Sequence, residues 1–398
     1  AKDKKTLDDF FLDENPELAK LNRQIAETKR KLSGIEPDTT LVMVEQEEMR
    51  ETRVMKRGNY LNPAEKVEMA TPAILHPLDP GLPGNRLGFA QWLVSTDNPL
   101  VARVAVNRWW NEIFGHGIVA TLEDFGTQSE PPTHPELLDW LAVEFMESGW
   151  NMKQVLRKIV LSSTYRQDSR MRPDLKQVDP MNHFYARGPR FRLSAEGIRD
   201  HGLAASGLLS TRMGGEPVMP YQPPGMWRQV GRNEPKWIDA KDENRFRRGI
   251  YIVYRRAAPY PSFVSFDATD RGACTVKRGR TNTPLQALTL LNDPAYIEMA
   301  LGLADRVLTT APGSDFQARL HHAFQLALQR PATNAELHHL QTLYQGKMSE
   351  LTPESANQLI AEPAKVVRPQ FKGSPSELAA WFYIANILLN LDEAISKG

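Results

Sequence analysis

The sequence predicts a mainly α-helical protein: a multi-helix globular domain with a few short β-strands and long loops rich in proline and glycine. Hydrophobic residues make up 41% of the 398 residues and recur at helical spacing through most of the chain. Residues that start helices precede many of these stretches. Many of the 29 prolines and 25 glycines fall between them, where they interrupt regular structure. A chain of this length and hydrophobic content can form two or three domains with cores of their own.

Residues 1–71 are predicted to form a charged helix followed by a β-hairpin. Leucine and isoleucine side chains lie near helical spacing over residues 16–32. Two short apolar runs, at 40–44 and 52–55, are expected to pair as the hairpin. We interpret this segment as a docking element or the end of an upstream domain. Residues 72–84, with four prolines and two glycines, are a predicted linker.

Residues 85–210 are predicted to form a helical core. Asn98 and Pro99 supply a cap and a first-turn proline for one helix, and Gly115 can end it. The apolar residues that follow repeat at helical spacing, as the packed face of a helix requires. Other helices are expected to start at the capping box formed by Thr133 and Glu136, at Asn151 and at Ser194.

Residues 211–282 are predicted to be an irregular region of loops and short strands. Prolines and glycines crowd its first part, and the large aromatic residues Trp227 and Trp237 lie among them. Flat rings on a loop stiffened by proline can stack on sugar rings, so Trp227 is a candidate ligand-binding residue. A loop that pins itself to the core is the alternative. Short strands are expected at 250–254 and 263–266.

Residues 283–398 are predicted to be a C-terminal helical region. Thr283 and Pro284 start one helix, which is expected to run to about residue 291. Asp293 and Pro294 start the next, which is expected to reach about residue 308. Further helices are expected at two capping boxes, Thr333 with Glu336 and Ser374 with Glu377.

The charge balance and the cysteine count exclude several classes of partner and site. With 49 basic and 48 acidic side chains the net charge is +1, so no global field draws the chain onto nucleic acid or an anionic membrane. No apolar run approaches the ~20 residues of a transmembrane helix. Because the chain starts at Ala1, without the apolar core of a signal peptide, we expect it to begin inside a longer precursor. Cys274, the only cysteine, excludes an internal disulfide, a cysteine-based zinc site and covalent haem attachment within this chain.

The segment 245–280 is a concentrated positive region in an otherwise neutral chain. It holds nine basic residues and two acidic ones. A helix start follows at 281–284, where unpaired N–H groups carry partial positive charge. Together they predict a site for a carboxylate, sulfate or phosphate, and the alternative is that the arginines pair with the acidic N-terminal segment or lie in solvent. The anion-binding candidates here are Arg255, Arg278, Arg280 and Asn282.

Asp267, Asp270 and Arg271 are the candidate catalytic residues. Two carboxylates three positions apart beside arginines can bind a cation, orient an arginine, or act as acid and base. Cys274 would have a lowered pKa among these basic residues if it is exposed, and a small core residue is the alternative. No Ser-His-Asp order and no metal-binding histidine spacing is present, so neither nucleophilic catalysis nor a metal site is predicted.

Arg108 is a further candidate anion-binding residue. Helical spacing places Asn107 and Arg108 near the face used by Val104, so their polar ends are expected to be partly buried and to need partners. Asp124 is the expected counter-ion of Arg108. A buried polar network that joins two helices is the alternative interpretation.

Several motifs, in one order along the chain, resemble a known family. They are NRLGFAQWLV at 85–94, NPLVARVAVNR at 98–108, DFG at 124–126, HPELLDWL at 134–141, STYRQ at 163–167, FDATDR at 266–271, TNTPLQAL at 281–288, LND at 291–293 and LLNLDE at 388–393. Together they resemble the large C-terminal domain of the planctomycete cytochrome-c-associated proteins, an exported family of uncharacterised function. The resemblance covers nearly everything after residue 40. Where the family usually shows Asp-Arg-Glu-x-Cys, this chain has Asp270-Arg-Gly-Ala-Cys274.

The resemblance implies an extracytoplasmic location, in the periplasm or cell envelope. It also implies a c-type haem in an upstream domain or a companion chain of the same precursor, with no cofactor in this chain and a polysaccharide as ligand. One hypothesis is therefore a redox enzyme or subunit that holds an anionic or glycan substrate while the haem accepts electrons. The alternative is a non-catalytic binding or scaffold module of the cell envelope. A pocket with converging polar groups favours the first, and a flat basic patch favours the second.

Overall fold

A computed structural model describes residues 10–11, 14–35, 39–46, 50–226 and 236–398. The chain divides into two compact units, Ala1–Ala70 and Thr71–Gly398. Fifteen α-helices and two two-stranded β-sheets lie in the described ranges, and helices hold 51% of the residues. The prediction of a mainly α-helical protein with a few short strands is therefore confirmed. No helix in the described part of the chain is long and apolar enough to cross a membrane.

The first unit contains one long helix and one β-hairpin. Helix α1 (Pro16–Ser33) begins where the Asn15 side chain accepts two backbone N–H groups of the first turn, which confirms the predicted helix. None of its residues is buried. Strand β1 (Thr52–Met55) pairs antiparallel with strand β2 (Pro63–Val67), and a short 3-10 turn lies between them.

The predicted pairing of residues 40–44 with 52–55 is wrong. Residues 40–44 are described and form no strand. The turn forms on the other side of β1, where Gly58 adopts a φ of 73° and the Asn59 side chain accepts a backbone N–H two residues on. Glycine and asparagine favour such turns, whereas the acidic run before β1 contains neither.

The first half of the second unit consists of short helices around a small core. Its elements are α2 (Arg86–Leu93), α3 (Val101–Phe114), α4 (Pro135–Glu147), α5 (Met152–Leu161), α6 (Leu175–Val178), β3 (Phe191–Arg192) and α7 (Ala195–Ser206). Helices α3, α4 and α5 share a hydrophobic core in which Val106, Ile118 and Val155 are fully buried. Each such side chain contributes about 1.5–3 kcal/mol, so this core holds the end of α3 in place.

Two of the four helix starts predicted for this half are confirmed, because Asn151 and Ser194 each accept a backbone N–H from the first turn of α5 and α7. Asn98 accepts the N–H groups of Leu100 and Val101, but α3 begins at Val101 with Leu100 as its N-cap, so Pro99 precedes the helix instead of lying in its first turn. Gly115 ends α3 as predicted, with a φ of 84° that residues bearing a Cβ rarely adopt.

The capping box predicted at Thr133 and Glu136 is wrong. Helix α4 begins at Pro135 without a side-chain cap. The Thr133 N–H instead donates to the carbonyl of Ile118 at 2.9 Å, and its hydroxyl lies 2.9 Å from Nδ1 of His134. A hydrogen bond to a residue distant in sequence therefore uses the backbone group of Thr133 that the predicted capping box would have used.

The two strands predicted at 250–254 and 263–266 are wrong. A 3-10 turn, Gly249–Tyr251, occupies the first position, with a single bridge from Val218 to the residue after the turn. Helix α8 (Pro261–Ser265) occupies the second, because a proline in its first turn favours helical backbone. Apolar runs this short have the same pattern in a buried strand and in a short helix.

The second half of the second unit is the larger helical core. Its elements are α9 (Pro284–Asn292), α10 (Pro294–Thr310), α11 (Phe316–Leu328), α12 (Asn334–Glu350), α13 (Pro353–Val367), α14 (Pro375–Asn390), α15 (Asp392–Ile395) and β4 (Ser396–Lys397). Helices α10 and α14 lie at its centre, where Leu301, Leu303 and Trp381 are almost completely buried.

The helix starts predicted for this half are confirmed in position. Thr283 and Thr333 form capping boxes with Gln286 and Glu336, and Asp293 caps α10. Helix α14 also starts where predicted, but the side chain of its N-cap residue makes no capping hydrogen bond.

The C-terminal strand returns to the first half of the unit. Strand β4 pairs antiparallel with β3, so that Phe191 lies opposite Lys397. The Lys397 ammonium donates to the carbonyl of Ile113 at 2.7 Å, in the last turn of α3. The end of α3, the strand β3 and the end of the chain are thus joined at one place.

Candidate anion-binding cleft

A cleft of about 1130 Å³ lies beside strand β3. The end of α3, the start of α7 and the segment 266–280 form its walls. Eleven charged side chains of the described chain line it: Arg192, Arg248, Arg271, Lys277, Arg278, Arg280, Glu112, Glu123, Glu196, Asp200 and Asp267. The cleft is therefore polar and carries both signs of charge.

The basic wall of the cleft is a loop whose two ends are tied together. The Asp267 carboxylate accepts the Thr281 N–H at 2.8 Å and the Thr281 hydroxyl at 2.9 Å. Arg192 donates to the same carboxylate and, at 2.5 Å, to the Thr281 carbonyl. We call residues 268–280 the basic loop and this triple contact its neck. A loop of this length with joined ends is compact and can hold side chains at fixed positions.

Asp267 is an ionised carboxylate committed to the neck. Burial alone would raise the pKa of its carboxyl, but the hydrogen bonds from Thr281 and Arg192 outweigh it and hold the pKa below its ordinary value. Its φ of 60° is also unusual for a residue with a side chain. A carboxylate of low pKa with these partners is suited to positioning the loop and poorly suited to proton transfer at neutral pH.

Two cations of the cleft are paired with carboxylates of helix α7. Arg278 forms hydrogen bonds of 2.8 and 3.0 Å with both oxygens of Glu196. Arg248 binds Asp200 at 2.8 Å, and Asp200 also accepts the Gly249 N–H. These charges are compensated by the protein itself. Their partners lie in α7, so the alternative pairing with the acidic N-terminal segment does not describe these two arginines.

Arg280 differs from these cations because no described residue forms a hydrogen bond or ion pair with it. Its guanidinium lies over the ring of Phe191, 4.2 Å from the ring centre. Desolvation by the surrounding protein lowers its pKa, with Glu112 opposing the shift and the like charge of Arg192 adding to it. Lys277 likewise has no hydrogen-bond or ion-pair partner in the described ranges. An anion would stabilise these two charges.

Gly115, which lines the cleft, leaves room for the Phe191 ring beside it. A Cβ at this position would lie 2.7 Å from Cδ1 of Phe191, which is closer than atoms of side chains approach each other. The ring beneath Arg280 therefore depends on a glycine at the end of α3. The Lys397 ammonium lies 5.7 Å from the centre of the same ring.

Two arginines of the segment 245–280 are buried away from the cleft. Arg245 binds Glu298 through two hydrogen bonds of 2.9 and 2.5 Å. Burial raises the pKa of Glu298, and the hydrogen bonds from Arg245 oppose that shift. Arg247 lies 3.7 Å from the ring centre of Tyr251 and donates to three backbone carbonyls of the segment 212–216. These side chains hold the irregular segment against the helical core.

The predicted site residues divide into those that line the cleft and those that do not. Asp267, Arg271, Arg278 and Arg280 line it, and Arg271 also lies over the ring of Tyr254 at 4.2 Å. Outside its lining are Asp270, which accepts the Gly272 N–H, the exposed Asn282, Arg255 and Arg108. Trp227 lies outside the described residues.

Arg108 does not have its predicted counter-ion. Its side chain is exposed, and Asp124 accepts the Gly126 N–H at 2.7 Å instead. The neighbouring prediction is confirmed, because Asn107 is fully buried and its amide exchanges two hydrogen bonds with the backbone of Val119. On a helix, consecutive residues point about 100° apart, so one is buried while the next is exposed.

The start of α9, predicted to offer free N–H groups to an anion, uses them within the protein. The Gln286 side chain accepts the Thr283 N–H at 3.3 Å in the capping box. The Thr281 N–H donates to Asp267. The negative group at this helix start is thus the Asp267 carboxylate of the same chain. Lys277 and Arg280, which have no carboxylate partner among the described residues, lie elsewhere in the cleft.

Sequence patterns missed several residues that face the basic loop. Asn111 and Glu112 are in α3, Glu123 follows it, and Arg192 and Glu196 flank the start of α7. They lie about 70 to 170 positions before the loop, so no local spacing connects them with it. Cys274 is exposed in the basic loop. Among the residues that the structure describes, no group of three or more His, Cys, Asp or Glu could hold a metal ion.

Residues 85–344 match the model of the PSD1 family, described as a protein of unknown function (DUF1553). The match covers well over half of the chain and includes every residue named above as lining the cleft. The chain therefore belongs to this family. No curated protein and no solved structure matches the chain.

Proposed function

We propose that this PSD1-family chain binds an anionic ligand in the cleft beside β3, with Arg280 and Lys277 of the basic loop contacting the negative group. The observation that carries the proposal is Arg280. It is an exposed cation that lines the cleft and lies over the Phe191 ring, without a carboxylate partner among the described residues, and desolvation lowers its pKa. Charge in such a position is stabilised when a ligand supplies the opposite charge.

The other charges of the cleft support binding more than proton-transfer chemistry. Arg192, Arg248 and Arg278 are paired, and Asp267 holds the neck of the loop. Three cations of the cleft, Arg271, Lys277 and Arg280, form no ion pair with a described residue, and neither do the carboxylates of Glu112 and Glu123. Cationic side chains with free donors suit the recognition of a carboxylate, sulfate or phosphate. We therefore assign ligand binding to this chain. The resemblance to planctomycete cytochrome-c-associated proteins adds the proposal that the ligand is an anionic glycan in the cell envelope.

The test is the affinity of the purified chain for a galacturonate trimer, measured by calorimetry, with a neutral galactose trimer as the control ligand. We expect the anionic trimer to bind and the neutral one to bind much more weakly. Arg280→Met should weaken the binding about 10- to 100-fold, as expected for the loss of a charge-assisted hydrogen bond of ~1.5–3 kcal/mol. Added salt should weaken it further.

Arg157→Met is the matched control variant. Arg157 is an exposed arginine of α5 that does not line the cleft, and no described residue forms an ion pair with it. The proposal requires this variant to bind like the unchanged chain. Equal affinity of the Arg280 and Arg157 variants, or equal affinity for the anionic and neutral trimers, would overturn it.

The redox role is a separate proposal that rests on the family resemblance. In it, a haem on an upstream domain or companion chain accepts electrons from the ligand held in the cleft. A haem absorption band and a second polypeptide that copurify with this chain from its native source would support that role. A colourless single chain that still binds the anion would leave a non-catalytic binding module as the better account.

A further inference from the structure

A second, smaller cleft lies beside the cleft that holds Arg280. Its volume is about 370 Å³, within the ~300–1,000 Å³ of small-ligand pockets. Tyr251 and Tyr254 form part of its wall, and we call it the tyrosine cleft. Ile250 and Arg271 line both clefts, so the two clefts meet at these two side chains.

The boundary between the two clefts is open to solvent. Ile250 is 70% exposed, and Arg271 is exposed as well. Neither side chain is therefore a buried partition, and one ligand can extend over both from one cleft into the other. Lys277 and Arg280 line only the first cleft. Such a ligand meets these two cations at one end and Arg271 where the clefts join.

The wall of the tyrosine cleft is held in place by the protein itself. The Tyr251 hydroxyl accepts the Gly214 N–H at 2.9 Å, and the Tyr254 hydroxyl donates to the Thr269 carbonyl. Rings fixed in this way lose little conformational entropy when a ligand binds. Their flat apolar surfaces suit a sugar ring, which carries C–H groups as well as hydroxyls.

Arg271 is the only charged residue among the described residues that line the tyrosine cleft. Its guanidinium lies over the Tyr254 ring, 4.2 Å from the ring centre, and it forms no ion pair with a described residue. Arg247 lies over Tyr251 in a similar way, but its donors are bound to backbone carbonyls. Arg271 therefore has a fixed position and retains its donors for a negative group of a ligand.

We infer that the ligand is an acidic oligosaccharide with at least two negative groups, and that Arg271 binds the second group while its sugar ring lies in the tyrosine cleft. The inference rests on the proposed anion binding, which supplies the first contact through Arg280 and Lys277. It adds a second subsite and a minimum length of two sugar residues. A single sugar acid would occupy only one of the two clefts.

The experiment compares galacturonate with digalacturonate by calorimetry. The unchanged chain should bind the dimer at least about 10-fold more tightly, because the second sugar residue binds as part of a ligand that the first has already placed. Two equivalent residues without a second subsite would give only about twofold. Arg271→Met should remove most of the gain, and so weaken the dimer much more than the monomer. Arg157→Met is again the control variant and should keep the full gain.

The outcomes separate this inference from the proposed function. If the dimer binds within about twofold of the monomer and Arg280→Met weakens both, the inference is wrong and anion binding stands. If the dimer binds more tightly but Arg271→Met keeps the whole gain, the second subsite is not at the tyrosine cleft and the inference is wrong. If neither ligand binds, both proposals are wrong. Should Arg271→Met fail to fold, as judged by its melting temperature, the ratio of the two affinities on the unchanged chain still tests for the second subsite.

Discussion

The arginines of the segment 245–280 lie in two environments, a buried one beside the helical core and the cleft. They differ in whether the protein itself supplies a partner for each positive charge. On the buried side, Arg245 pairs with Glu298 at 8% and 5% exposure, and Arg247 binds backbone carbonyls. On the cleft side, Arg278 is paired, but Arg271, Lys277 and Arg280 form no ion pair with a described residue. Counting the arginines in a segment therefore does not tell how many are available to a ligand. That number depends on which arginines the folded protein pairs with its own carboxylates or carbonyls.

This difference separates two physical roles. A buried arginine with a bidentate carboxylate contributes to the fold only as part of its pair, because either charge alone is costly. A cleft arginine over an aromatic ring retains hydrogen-bond donors for a ligand. Substitutions on the two sides should therefore affect different measurements: stability on the first and ligand affinity on the second.

The largest effect on stability is expected from Glu298→Gln. It leaves the buried charge of Arg245 without its carboxylate and should lower the free energy of unfolding by about 3–5 kcal/mol. Urea denaturation measures the change. The control is Glu243→Gln in the exposed pair with Arg212, which should cost less than about 1 kcal/mol. Equal losses in both variants would mean that burial does not distinguish the two sides.

An intermediate effect is expected from Asp267→Asn at the neck of the basic loop. The neutral amide loses the charge in the contact with Arg192 and one acceptor position, which should lower the free energy of unfolding by about 1–3 kcal/mol. Affinity for the galacturonate trimer should fall as well, because the neck positions the loop. A loss of stability with unchanged affinity would show that the loop keeps its position without the neck.

The contribution of Asp267 should also depend on pH. Its folded-state pKa lies below the ordinary value of 3.8, so the stabilisation is present above that value and is lost as the pH falls through the lower folded-state pKa. The difference in stability between the unchanged chain and Asp267→Asn should shrink on acidification below about pH 4. Denaturation curves recorded from pH 6 to pH 3 provide the comparison, and a constant difference would contradict the assignment.

The smallest effect on stability is expected from Arg280→Met. The side chain is exposed and has no ion-pair partner in the described part of the chain, so its removal should change the free energy of unfolding by less than about 0.5 kcal/mol. The same variant should lose most of its anion affinity. A large loss of stability would place Arg280 with the structural arginines of the buried side.

The helix starts show how much of the fold local sequence can predict. Asn151, Ser194, Asp293 and Thr333 each cap the helix that follows, because a capping side chain bonds backbone groups only two or three residues away. Thr133 fails for the opposite reason, since its N–H binds a carbonyl 15 residues earlier. Local sequence patterns predict a helix start well when the hydrogen bonds that stabilise it join residues close together in the sequence.

The two wrongly predicted strands, at 250–254 and 263–266, show the limit of hydrophobic pattern. Both runs are apolar and short, and each places a residue, Ile252 or Phe263, in the core. The backbone form depends on neighbours such as Val218, whose N–H and carbonyl bond the first run from 33 to 35 positions away. Periodicity over five residues contains no information about such partners.

The sequence by itself determined the helical class of this protein, the starts of several of its helices and the location of a concentrated positive segment, because these follow from spacing and composition along the chain. Only the tertiary structure decided which of those cations are free to bind a ligand. Glu196, Glu298 and Arg192 each pair with a residue more than 50 positions away. Electrostatic compensation depends on distances of a few ångströms in space, and those distances exist only after the chain has folded.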